Sequence, residues 1–77
     1  MIILKKPLKG IKAEEFRQTV KSQMIWQGKT YRGLAKETGY SIKALHNAMT
    51  KDADISKFVA SALSEVLGID LRNFEKE

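Results

Sequence analysis

The chain has no cysteine. Neither a disulfide framework nor a thiolate metal site can be built from it. Its single histidine, His46, has no histidine partner, so a paired-histidine metal centre is excluded as well. The five glycines are scattered, and none of the spacings forms a phosphate-cradling loop. Long apolar runs are also missing. In "MIILKKPLKG" the residues Ile2, Ile3 and Leu4 meet lysines at once, too short a run for a signal-peptide core or a membrane span. A soluble, cytoplasmic chain with no membrane contact is the expectation. Glu14 and Glu15 are neighbours on a helix surface and point in different directions, so they form no catalytic carboxylate pair. His46 has no obvious acid or nucleophile at helical spacing. The expectation is therefore a protein that is not an enzyme, with no cofactor and no small-molecule substrate.

Charge is what the chain does have. Lysine and arginine number 14 against 9 acids, a net +5. The distribution is uneven: residues 1–12 carry +4, residues 13–29 carry +1, residues 30–51 carry +3 and residues 52–77 carry −3. Such polarity suits a basic face turned to a polyanion and an acidic end held away from it. The alternative is an ordinary solvated lysine surface.

Apolar spacing predicts an all-α domain over residues 13–77, preceded by a basic arm or short strand over residues 1–12. Ala13, Phe16, Val20 and Met24 recur every three or four positions, the stripe of an amphipathic helix ending near Gln27 at Gly28. Met24 and Met49 read as core filling, and Trp26 as core or interface. Thr30 offers an N-cap hydroxyl to a second helix that Gly39 ends. Ser41 caps a third helix reaching about Thr50. After "KDAD", Asp54 is expected to cap a fourth helix with the inward stripe Ile55, Phe58, Val59, Ala62, Leu63, Val66 and Leu67. Gly68 stops that helix, and Asp70 caps a last turn that inserts Leu71 and Phe74. Only "MIILKK" reads as a strand, limited by Pro7.

The stretch "TYRGLAKETGYSIKALHNAM" starts, breaks and restarts a helix with almost no loop. Leu34 and Ala35 face inward, Gly39 turns the chain, Tyr40 plugs the inner side of the turn, and Leu45 and Ala48 anchor the third helix. Two helices crossing steeply over a tight turn fit this spacing. Ile42, Lys43, Ala44, His46 and Asn47 are left on an open face.

This stretch resembles the helix-turn-helix of the Cro/repressor-type, lambda-repressor-like DNA-binding domains. "DISKFVASALSEVLGIDLRNF" is similar to that family's fourth helix and following turn, including the leucine-glycine pair Leu67-Gly68. The likeness spans roughly residues 16 to 74. It implies a compact domain of four to five helices that binds double-stranded DNA and regulates transcription, as a repressor or otherwise. Compact stand-alone domains of this kind often come from phages or mobile elements. In the family's geometry Lys43, Ala44 and Asn47 approach base edges, Ser41 offers a helix N-terminus to phosphate, and His46 reaches a base or a phosphate. Thr30, Tyr31, Arg32 and Lys36 would lie along the backbone. Tyr31 stands where the family usually has a glutamine.

A small core and one short reading helix both favour a homodimer. Its contact is expected at the N-terminal strand, or else at Leu71 and Phe74. The competing reading is a protein-binding module on the same fold, an antirepressor or a phage-encoded inhibitor of a host protein. Ile42 and Trp26 would serve it if both lie on one exposed patch.

Overall fold

A tight pair of backbone hydrogen bonds joins two distant parts of the chain. Leu8 N–H donates to the Ile55 carbonyl at 3.0 Å, and Ile55 N–H donates back to Leu8 at 2.9 Å. The structure is a computed structural model and describes residue 8, residues 10–50 and residues 54–74. The expected strand "MIILKK" lies outside the described residues. Among those described, the Leu8–Ile55 bridge is isolated and no strand forms.

Among the described residues, four α-helices and a closing 3₁₀ turn make a compact all-helical arrangement. They are α1 (Gly10–Gln27), α2 (Tyr31–Thr38), α3 (Ile42–Thr50), α4 (Lys57–Leu67) and the 3₁₀ turn (Leu71–Phe74). No helix among the described residues is long and apolar enough to cross a membrane. Helix α1 begins three positions ahead of the expected Ala13, directly after Leu8 is tied to Ile55. Its inward face is Ala13, Phe16, Arg17 and Val20. The i, i+3, i+4, i+7 spacing of these four positions is the stripe of a helix packed on one side. Phe16 meets Phe74 edge to face, with centroids 5.4 Å apart, an arrangement aromatic quadrupoles prefer. The 3₁₀ turn is thereby pinned on α1, with Leu71 and Phe74 buried as expected. At its start Asp70 accepts from the Arg72 backbone at 3.0 Å and from its guanidinium at 3.0–3.1 Å. These bonds hold the Asp70 carboxyl below its ordinary range and raise Arg72.

The fourth helix corrects the sequence expectation at its start. Asp54 does not cap it. Ser56 does, accepting from the Phe58 N–H at 3.1 Å. Ile55 is pulled out of the helix by the bridge to Leu8 and is fully buried there. With the helix beginning at Lys57, its core face becomes Ala60, Leu63, Ser64 and Leu67, flanked by Ser61. Phe58 then falls on the outer side and is exposed, with the Lys57 ammonium 5.2 Å from its ring centre. Val59 and Val66 pack only at the margin of the core.

Trp26 also departs from the core reading. Its side chain is 82% exposed, and Ile25 beside it 83%. The apolar stripe of α1 passes through Met24, which packs against the core, and the next two positions turn outward. Met49 is buried as expected.

Candidate nucleic-acid interface

Helices α2 and α3 are each specified by their ends. Thr30 has extended backbone, and its Oγ1 accepts the Gly33 N–H at 3.2 Å. Gly39 closes α2 at φ 83°, and its N–H donates to Ala35 at 2.9 Å. That φ lies in the left-handed region, where a Cβ is strained. The Thr38 hydroxyl donates back to Leu34 at 2.7 Å and accepts the Tyr40 N–H at 3.2 Å. The turn is thus bonded on both sides. Ser41 Oγ then accepts the Ala44 N–H at 3.0 Å, an N-cap for α3.

Beneath this turn Leu34 and Leu45 are fully buried, and Tyr40 and Ala35, partly buried, pack against the core. Leu45 and Met49, four apart, are the buried side chains of α3. Everything else described on α3 is exposed or half-buried: Ile42, Lys43 and His46 are exposed, Ala44, Asn47 and Ala48 half-buried. On α2 Thr30, Arg32 and Lys36 are exposed and Tyr31 is half-buried. The Tyr31 and His46 rings meet edge to face at 5.7 Å. A residue at the start of α2 therefore touches the open side of α3.

The charges sort themselves. Glu37, the only acid from residue 30 to residue 51, is engaged by the Lys29 ammonium at 3.0 and 3.1 Å. Arg32, Lys36 and Lys43 form no salt bridge among the described residues. The two helices thus present three cations to solvent with their single carboxylate neutralised. Among the described residues no group of three or more His, Asp or Glu stands together as a metal site.

Comparison with protein-family models, curated proteins and solved structures finds no match.

One side chain escaped the sequence reading. Arg17 is buried, and its Nε donates to the Ala48 carbonyl near the end of α3 at 2.8 Å. Its Nη1 lies 3.7 Å from Glu14. The signal was its position: four after Ala13 and three before Val20, it falls on the buried stripe of α1, where a charge needs a partner.

Proposed function

We propose that this chain is a sequence-specific, double-stranded DNA-binding regulator with a helix-turn-helix of the Cro/repressor type. One observation carries the reading. Helix α3 buries Leu45 and Met49 and leaves Lys43 and His46 exposed and Asn47 half-buried, next to exposed Arg32 and Lys36 on α2. A short helix with one polar, basic face fits a major groove. Lysine suits the acceptors of guanine, asparagine pairs with adenine, and Ala44 meets a thymine methyl. Arg32 and Lys36 hold phosphates, contacts that position the protein without reading sequence. No catalytic step and no cofactor belong to this function. In this reading the protein acts as a two-fold dimer, with half-sites about one helical turn apart.

Gel shifts on DNA flanking the protein's own coding sequence, at several salt concentrations, test the reading. A site preference that persists while overall affinity falls with salt supports it. Binding that is equal on all duplexes, or absent, removes it. Sedimentation of the intact chain and of a version lacking residues 1–6 tests the dimer, which a strict monomer both free and on DNA would remove.

A second reading, a protein-binding module, draws on the exposed Ile25, Trp26 and Ile42 and requires that they lie on one patch. Loss of DNA binding as the outcome of the gel shifts, with the fold intact, would move that reading ahead.

A further inference from the structure

Three helices of this domain are closed in the same way. Helices α1, α2 and α4 each end on a left-handed glycine: Gly28 at φ 65°, Gly39 at φ 83° and Gly68 at φ 74°. Such glycines let N–H groups beyond the helix satisfy its last carbonyls. After α3 the sequence runs Lys51, Asp52, Ala53, with no glycine. The last turn of α3 holds no basic residue either. The last carbonyls of a helix and the negative end of its dipole favour a cationic donor.

We infer that Arg17 is that donor, and that it is the positioning residue for the reading helix. Its Nε reaches across 31 positions of sequence to the Ala48 carbonyl at 2.8 Å. The group is cationic, 6% exposed and placed at the end of α3 where the helix dipole favours positive charge. Burial makes the bond stronger and also makes it obligatory for both partners. Helix α3 is fixed at its first turn by Ser41 and the Gly39 turn, and further along by the buried Leu45 and Met49. Arg17 fixes its last turn to α1. With both ends held, the angle at which Lys43 and Asn47 leave the domain is set. Glu14, largely exposed, lies 3.7 Å from the guanidinium Nη1. Arg17 touches no DNA in this scheme. It acts through Ala48, and the inference rests on α3 being the reader.

The test compares wild type, Arg17→Met and Arg17→Lys on two duplexes: a site that wild type selects from a random pool, and a scrambled one. Amide exchange is measured on the three proteins without DNA. Arg17→Met keeps much of the apolar stem and loses the donor. Its affinity for the selected site should fall about tenfold, the scale of one lost charge-assisted hydrogen bond. Affinity for the scrambled duplex and the salt slope should not change, because no phosphate contact is removed. Amides of α3 should exchange faster than those of α2, and Arg17→Lys should recover part of both effects. A purely structural role gives another result: a lower melting temperature with an unchanged ratio of selected to scrambled affinity, and exchange raised evenly over the chain. That result overturns the inference. If Arg17→Met does not fold, Arg17→Lys decides, and wild-type values in both measurements overturn it. If wild type itself has no site preference, the DNA reading fails. The exchange data then stand alone: acceleration confined to α3 keeps the tie, and none removes it.

Discussion

Helices α3 and α4 are similar in length and held in opposite ways. Helix α4 buries Ala60, Ser61, Leu63, Ser64 and Leu67 and is closed by its own glycine. Helix α3 buries Leu45 and Met49, and a side chain from α1 bonds its last turn. The contrast shows how a small domain divides its work. One helix is placed by area removed from water, which is tolerant of detail. The other is placed by a turn, two side chains and one charged hydrogen bond, which leaves most of its surface for something else.

The sharpest way to break this contrast is Leu45→Ala. The cavity under the α2–α3 turn should cost about 2–5 kcal/mol of stability. Leu63→Ala on α4 should cost a similar amount by the same mechanism. The two should separate in binding. At a temperature where both remain folded, Leu45→Ala should weaken DNA binding and Leu63→Ala should leave it near wild type. Melting curves paired with gel shifts check this, and equal binding losses would mean that α3 is not held separately.

Next in size is the open face. Asn47→Ala should lose about 1–3 kcal/mol on the preferred site and little on random DNA. Arg32→Ala should weaken both kinds of DNA alike and lower the salt slope by roughly one unit. Competition binding at several salt concentrations separates reading from holding. Unchanged affinity and site preference in Asn47→Ala and Lys43→Ala would turn the function toward a protein partner.

The start of α4 offers a smaller effect. Ser56→Ala should cost about 1 kcal/mol as a lost N-cap, and Asp54→Ala should stay within about 0.5 kcal/mol. Urea titrations of the two variants check the order, and the reverse order would restore Asp54 as the cap.

Smallest of all is the acid end of stability. The Asp70 carboxyl is held below its ordinary range by its bonds to Arg72. The stability it lends is therefore complete above the ordinary carboxylate value and is lost as pH falls through the lowered one. Asp70→Asn should remove that increment near neutral pH and flatten the acid transition by the same amount, both small since the pair is exposed. An acid titration followed by circular dichroism would show the difference.

Much of the frame was legible because it is written locally. Thr30, Gly39, Ser41 and Gly68 each act on backbone within four residues, so their meaning survives without tertiary context. The α4 start was misread because Asp54 and Ser56 are equally good caps, and Ile55 continues the helical spacing. What decides between them is the bond to Leu8, which no local pattern contains. Phe58 followed from that error: a start placed at Asp54 adds Ile55 to the stripe and draws Phe58 inward with it. Trp26 is no core residue because its position two after Met24 turns it off the stripe. At the candidate interface, the exposure of Ile42, Lys43 and His46 was readable from the placement of Leu45, whereas Ala44 and Asn47, expected on the open face, and Ala48, expected beneath, are all half-buried. The Tyr31–His46 contact and the reach of Arg17 were not readable, because each joins residues on different helices.

The Leu8–Ile55 bridge also bears on how the domain forms in time. It closes a loop that contains all of α1, α2 and α3. Closing so long a loop carries an entropy cost that grows slowly with its length, whereas each helix inside it can begin from neighbours in sequence. Local contacts form readily and distant ones are the slower kind. The bridge is thus suited to act as a latch set after the helices have met. Leu8→Ala should then speed unfolding more than it slows folding, and a denaturant chevron with the change confined to the refolding arm would show that the latch closes first.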